Sequence, residues 1–305
     1  MRTIKRLLVF IVMAGWLSGA NFIEKVGIDI HDTVATGVPI ALVAAVWWAI
    51  ANRVPTQWAD LPDPAASFIR TTWKQQGFLE ADTVDLKEIP HDSLFARVIM
   101  YTQELPNALG VGGAFRTKIE LLLAEKEELS KKLLEDMSAL EKEECIERDL
   151  CVERQLNECR FVCGHERVHK EEGHTFRMLI IQCLAPFIVY SLFKHTANFL
   201  EAQQSHQQVV ALLRKSGMRS LCEMLIFWCS AHWYERKADK YASDDPEVIL
   251  AGIDLFEKAH QKIVRSAKVD TVAHIVSWFL KYTHPTSSER IAYLKESLKK
   301  AEADY

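Results

Sequence analysis

The segment Gly164–His174, GHERVHKEEGH, carries two histidines four residues apart, with a glutamate directly after the first. On an α-helix, residues four apart lie on nearly the same face, so His165 and His169 can present two imidazoles to one metal ion. Glu166 projects about 100° away from His165, beside the ion rather than onto it. The spacing therefore predicts a metal-binding helix with a carboxylate placed for proton transfer. The alternative is a polar helix face that is rich in histidine.

A third metal ligand is available downstream in WYERKADKYA, residues 233–242. Glu235 and Asp239 lie four apart on another predicted helix, again on one face. Glu235 would complete a His-His-Glu set and leave the fourth zinc position for water. Asp239 would lie behind the ligands, where it could accept a hydrogen bond from an imidazole and fix its tautomer. The alternative is a charged surface helix stabilised by pairs of residues four apart.

A third motif, THPTSSERIAYL, occupies residues 283–294. The proline and serines indicate a loop that leads into a helix, with His284 and Arg290 six residues apart. Near a metal, these two side chains could stabilise the oxyanion that forms when water adds to a peptide carbonyl. Taken alone, the motif is equally typical of an ordinary loop and helix cap.

In this order, the three motifs resemble the HExxH…GH, ExxxD and HPxxxxR signatures of the HtpX and CAAX prenyl protease family of integral-membrane zinc metallopeptidases. The segment ELPNALGVGGAF, residues 104–115, is similar to the strand turn that precedes the metal helix in that family. The resemblance covers roughly residues 98–294, and the chain length of 305 residues favours the HtpX-like branch.

The resemblance implies a zinc-dependent peptide hydrolase with one ion per chain. It implies that the metal ligands are His165, His169 and Glu235, and that Glu166 acts first as general base and then as acid. It further implies that His284 and Arg290 lie near the oxyanion and that Asn107 helps to shape the substrate cleft. A substrate peptide would add to the strand at residues 98–103. His174 would lie off the ligand face of a continuous helix, so we expect it to face solvent or to support a ligand.

Two apolar blocks near the N-terminus, Leu7–Leu17 and Val34–Ala51, indicate membrane segments. The second is nearly long enough to span a bilayer, and its paired tryptophans precede Arg53 in the manner of an interfacial belt. A cleaved signal peptide is the alternative for the first block, and a buried core helix for the second. Basic residues precede the first block, Arg53 follows the second, and acidic residues lie between the two blocks. This charge pattern predicts that the N-terminus and everything after Arg53 are cytoplasmic.

The remaining chain predicts a mainly α fold with a small β-sheet: an α+β, zincin-like catalytic domain combined with transmembrane helices. Residues 96–103 indicate a strand followed by a turn and a second short strand. Residues 118–160 are strong helix formers with one apolar stripe, typical of a solvated helix or helical hairpin. The apolar runs at 178–193 and 221–234 are either kinked membrane helices or core helices.

The expected domain organisation has four parts. They are a membrane anchor at 1–53, the N-terminal part of the protease domain with its edge strand at 54–117, a charged helical insertion at 118–155, and a catalytic zinc-binding region at 156–305 with an apolar hairpin at 178–234. The insertion could cover the cleft or bind a partner. The net charge of −4 gives no reason to expect a nucleic-acid partner.

These patterns predict a multi-pass protein of a bacterial inner or organellar membrane. It would be a zinc endopeptidase that acts on membrane or misfolded proteins, with the lipid bilayer and protein or peptide substrates as partners. Two alternatives remain open at this point. One is a protease that processes prenylated CAAX peptides, and the other is a membrane-anchored, non-catalytic adaptor with a structural zinc.

Overall fold

The computed structural model describes residues 58–89, 102–105, 108–135, 137–203, 207–213, 216–266 and 284–303. The two N-terminal apolar blocks, most of the strand expected at 96–103, and Asn107 lie outside these described residues. The chain divides into two compact units, Met1–Ile50 with Leu179–Ile226 and Ala51–Met178 with Phe227–Tyr305. The second, here called the larger unit, contains every candidate site residue that the structure describes.

The described elements are mainly helical, with a small sheet, which confirms the predicted α+β class. In chain order they are β1 (Ala59–Asp60), α1 (Asp63–Gln75), a short 3-10 helix (Ala81–Thr83), β2 (Asp85–Ile89), β3 (Thr102–Leu105), β4 (Ala108–Gly112), α2 (Gly113–Lys132), α3 (Ala139–Glu172), α4 (His174–Ala202), α5 (Gln207–Leu213), α6 (Ser216–Lys240), α7 (Pro246–Ser266) and α8 (Ser287–Ala303).

The four strands form one sheet in the order β1-β2-β4-β3. Strands β2 and β4 are parallel, whereas β1 pairs with β2, and β3 with β4, in antiparallel fashion. All five residues of β4, the second short strand expected from the sequence, are buried. Strand β3 lies at the sheet edge, so one row of its backbone groups faces away from the described sheet.

Helices α2 and α3 form an antiparallel hairpin. Ion pairs join Lys118 to Glu158 and Arg148 to Glu125 across it. A capping box between Ser138 and Glu141 starts α3, which then continues for 34 residues until Gly173 ends it with a φ of 61°. The predicted insertion and the predicted metal-binding segment thus share one uninterrupted helix.

The apolar run at 178–193 lies within α4, and the run at 221–234 lies within α6. One face of α4 exposes large apolar side chains every four residues: Phe176, Ile180, Leu184, Ile188 and Leu192. Across the described ranges, no helix combines the length and the apolar character needed to cross a membrane.

The core of the larger unit holds α3 from two sides. One cluster joins α3 residues such as Leu156 and Cys159 to α1, α2 and the sheet, and it includes the fully buried Trp73 of α1. The Trp73 indole donates a hydrogen bond to the Cys163 carbonyl at 2.6 Å. A second cluster joins Phe161 to α7 and α8. Packing on both sides fixes the helix that carries the candidate ligands.

Candidate metal centre

Three side chains from two helices converge on one point. His165 and His169 of α3 bring their Nε2 atoms to 3.1 Å of each other. From α6, Glu235 places Oε1 3.4 Å from His169 Nε2 and Oε2 3.5 Å from His165 Nε2. Tetrahedral zinc with bonds of about 2.0–2.1 Å separates neighbouring donor atoms by about 3.3 Å. The three donors therefore have the spacing of ligands to one ion.

The Glu235 carboxylate has the surroundings of a metal ligand. Its Oε2 is buried and makes no hydrogen bond within the part of the chain that the structure describes. Burial opposes ionisation, but the nearby His284, His169 and His165 hold the pKa of Glu235 well below its usual range. A buried carboxylate oxygen without a hydrogen-bond donor is costly unless a cation compensates it. The donor set therefore fits zinc.

Asp239 lies behind the ligands and orients one of them. Its Oδ1 is 2.8 Å from His165 Nδ1. Carboxylates in this position hold the imidazole proton at Nδ1, and the Nε2 lone pair is then free for a metal. Burial would raise the pKa of Asp239, but Arg290 and His165 outweigh it and keep that pKa below its usual value. The ionised Asp239 carboxylate therefore accepts a hydrogen bond from the His165 Nδ1–H.

Arg290, expected near the oxyanion, gives its hydrogen bonds to Asp239. Its Nε donates to Asp239 Oδ2 at 2.6 Å, and its Nη2 donates to Oδ1. The guanidinium also covers the Phe256 ring, 4.0 Å from its centroid, and Nη1 lies 3.8 Å from Glu235 Oε2. Arg290 thus borders the ligand cluster while it holds the carboxylate that orients His165.

His284 lies on the more open side of the same cluster. Its Nε2 is 3.6 Å from Glu235 Oε1, and its side chain is 44% exposed. Partial desolvation lowers the pKa of His284 below its usual value, against the opposing effect of Glu235. Thr286 and Glu289 exchange hydrogen bonds in a capping box that starts α8, which places His284 just before the helix.

Two expected residues are not among the groups that the structure shows to converge. Glu166 follows His165 on α3 and is half-buried, but its carboxylate is not one of the three converging donors. Asn107 falls outside the described residues. The structure therefore brings together His165, His169, Glu235, Asp239, His284 and Arg290, and it gives no position for Asn107.

Three residues at or beside the site make contacts that the sequence did not predict. The Tyr293 hydroxyl donates to Asp239 Oδ2. The Arg167 side chain is 12% exposed and donates at 2.6 Å to each of the carbonyls of Gln76 and Tyr241. A Cβ at Gly164 would come within 1.9 Å of the Ala242 carbonyl oxygen, so only glycine permits this close approach.

His174 is buried rather than facing solvent, with 2% of its surface exposed. Its Nδ1 lies 2.9 Å from His169 Nδ1. The continuous helix assumed for the sequence ends at Gly173, so His174 begins α4 and turns back towards His169. The Gly-His pair at the end of a helical pattern was the one local signal of this return.

A His-His pair on one helix and a carboxylate from a second helix define a metallopeptidase centre of the HExxH type. The model of peptidase family M48 matches residues 79–298. The chain belongs to peptidase family M48 and is a zinc metallopeptidase. Neither a curated protein nor a solved structure matches it significantly.

Proposed function

We propose that the chain is a membrane-bound zinc endopeptidase that hydrolyses membrane or misfolded proteins, with Glu166 as its general base. The observation that carries the proposal is the triangle of His165, His169 and Glu235 donor atoms, with separations of 3.1–3.5 Å. Three protein ligands would leave the fourth zinc position for water, as a catalytic zinc site requires.

The protein side chains divide the chemistry among them. His165, His169 and Glu235 would hold zinc, which when bound activates water and polarises the scissile carbonyl. Glu166 accepts the proton of the attacking water and returns it to the leaving amine. Because helix geometry turns Glu166 about 100° from His165, its carboxylate can reach the water without occupying a ligand position.

His284 and Arg290 take different parts in this proposal. The half-exposed His284 faces the substrate side of Glu235 and would stabilise charge that develops on the carbonyl oxygen. Arg290 acts through Asp239, whose carboxylate it fixes with two hydrogen bonds, so we assign it a positioning role. Within the HPxxxxR segment, His284 would thus contact the substrate, and Arg290 would hold the carboxylate that orients His165.

An extended substrate would bind along β3. The strand forms the edge of the described sheet, and its outer backbone groups can pair with a substrate strand without selecting particular side chains. Such binding suits an endopeptidase of unfolded segments. Asn107, which lies outside the described residues, would help to shape this cleft.

Membrane attachment rests on apolar segments in two parts of the chain. The blocks at 7–17 and 34–51 carry no charged residue. The exposed stripe of α4 places Ile188 and Leu192 at 60% exposure each. A row of large apolar side chains at such exposure is stable where another apolar phase covers it. Together with the basic flanks, these segments favour a multi-pass protein whose catalytic side is cytoplasmic.

Proteolysis by the purified full chain in lipid vesicles tests the proposal. We expect internal cleavage of an unfolded, unmodified polypeptide, loss of cleavage on chelation, and recovery with about one equivalent of zinc. A farnesylated CAAX peptide serves as the competing substrate. Cleavage of the CAAX peptide alone would replace the proposal with prenyl-peptide processing, and zinc binding without any cleavage would replace it with a structural adaptor.

A further inference from the structure

The two histidine ligands have different supports. His165 Nδ1 faces the ionised Asp239 at 2.8 Å, whereas His169 Nδ1 faces the imidazole of His174 at 2.9 Å. A histidine that binds metal through Nε2 carries its proton on Nδ1 and donates it to a supporting acceptor. In this geometry the Nδ1 of His174 stands where Asp239 stands for His165.

The tautomers of both rings follow from this contact. If His169 Nε2 is free for zinc, its proton lies on Nδ1, so His174 must accept with an unprotonated Nδ1. The His174 proton then lies on Nε2, a buried atom with no hydrogen-bond partner in the described part of the chain. A ring that accepts at Nδ1 and carries its one proton on Nε2 is neutral.

Among the described residues, Nε2 of His174 has no partner, so the role of this ring lies at Nδ1. A buried N–H without an acceptor destabilises the fold, and such groups persist mainly where they serve a function. His174 packs against the Tyr234 ring, with ring centroids 4.4 Å apart. An apolar ring at residue 174 could make this packing contact equally well. The Nδ1 acceptor is therefore the property that an apolar ring lacks.

We propose that His174 is a positioning residue whose Nδ1 accepts a hydrogen bond from the Nδ1–H of His169. This hydrogen bond holds the His169 Nε2 lone pair towards zinc. The proposal rests on the ligand role of His169 in the proposed function. A neutral acceptor strengthens its partner less than a carboxylate does, so His169 is the less basic of the two imidazole ligands. His174 itself binds neither zinc nor substrate.

Two substitutions separate acceptance from packing. His174→Asn places an amide oxygen near the position of Nδ1 but removes the ring, whereas His174→Phe keeps the ring and removes the acceptor. Zinc affinity of the purified full chain is measured by competition with a chromophoric chelator. We expect the phenylalanine variant to bind zinc about 10–100-fold more weakly and the asparagine variant to recover most of that loss.

A packing role predicts the reverse order, so equal or better zinc binding by the phenylalanine variant would overturn the proposal. Failure of the wild type to bind zinc would instead refute the proposed function. A second measurement uses only the wild type. With ¹⁵N-labelled histidine and bound zinc, a coupling through the shared proton should join two imidazole Nδ1 nitrogens. Absence of that coupling would also overturn the proposal.

Discussion

At the residue scale, the buried carboxylate of Asp239 is the point where two motifs meet. It accepts hydrogen bonds from His165 of α3 and from Arg290 and Tyr293 of α8. Its own helix, α6, supplies Glu235 one turn earlier. Because a buried charge is stable only when it is paired and hydrogen-bonded, these donors allow Asp239 to stay ionised behind the ligand.

Tyr293→Phe should lower the free energy of unfolding by about 1.5–3 kcal/mol, the range for a hydrogen bond to a charged group. The substitution removes the hydroxyl that donates to Asp239 and leaves the ring in place. Urea unfolding of the zinc-loaded protein measures the change. Tyr241→Phe, which alters a tyrosine that is 48% exposed, is the control and should change stability little. Equal effects of the two substitutions would contradict the role given to the hydroxyl.

Sequence alone could pair His165 with His169 and Glu235 with Asp239 because helix periodicity is local. It could not show what Arg290 contacts, because that depends on how α8 packs against α6. The same holds for Tyr293, which lies three residues after Arg290 and therefore on the same helix face. Its hydroxyl acquires a role only once Asp239 is known to be buried nearby.

At the element scale, Gly173 separates the metal helix from α4. Its φ of 61° is a left-handed conformation that costs other residues about 1–2 kcal/mol, while a Cβ there would meet nothing within 4 Å. Gly173→Ala should therefore destabilise the fold through backbone strain alone. The strain falls beside His174, so we also expect weaker zinc binding, measured by chelator competition.

Gly77 provides the matched control for this substitution, since it has a φ of 84° and equally open surroundings. Gly77→Ala should lower stability by a similar amount and leave zinc affinity unchanged. If both variants bind zinc as the wild type does, the turn at Gly173 does not position the centre.

Glu158 joins three helices through its buried carboxylate. Lys118 of α2 donates to it at 2.9 Å, and Lys258 of α7 donates to its other oxygen. Burial opposes ionisation, but the two lysines hold the pKa of Glu158 below its usual 4.5. The ionised group thus stabilises the fold above about pH 4.5. That contribution is lost as the pH falls through the lower pKa of the folded state.

Glu158→Gln should therefore destabilise the protein at pH 7 by about 1.5–3 kcal/mol, and the difference from wild type should shrink in more acidic solution. Thermal or urea unfolding across the pH range measures it. Glu147→Gln, at an exposed position of the same helix, is the control. A difference that grows towards low pH would have the wrong sign for this assignment.

The apolar stripe at 118–160 was enough to predict a helix or a helical hairpin with one packed face, because an apolar face on a charged helix packs on a neighbour. The boundary expected near residue 155 corresponds to no break in α3. Helix propensity depends on the local sequence alone. It therefore does not show where along α3 the packing partner changes from α2 to α7. The domain boundary itself stays a prediction.

At the scale of the whole molecule, the proposed membrane topology must keep all the zinc-binding side chains on one side of the membrane. Residues 51–178 and 227–305 form one compact unit. We therefore expect tags inserted after Asp60 and at the C-terminus to be accessible from the cytoplasmic side, or its organellar equivalent. Protease protection of sealed vesicles measures this. Tags on opposite sides would contradict the proposed topology.

The most direct test of the central claim is a single substitution in the proposed general base, Glu166. Glu166→Gln keeps the size and polarity of the side chain and removes its basicity. Metal content and proteolysis of an unfolded polypeptide are measured for the purified wild type, this variant and the control Glu147→Gln. A general base at Glu166 predicts full zinc content with turnover lower by about two to four orders of magnitude, and an unaffected control. A zinc-replete Glu166→Gln protein that cleaves as fast as the wild type would contradict it.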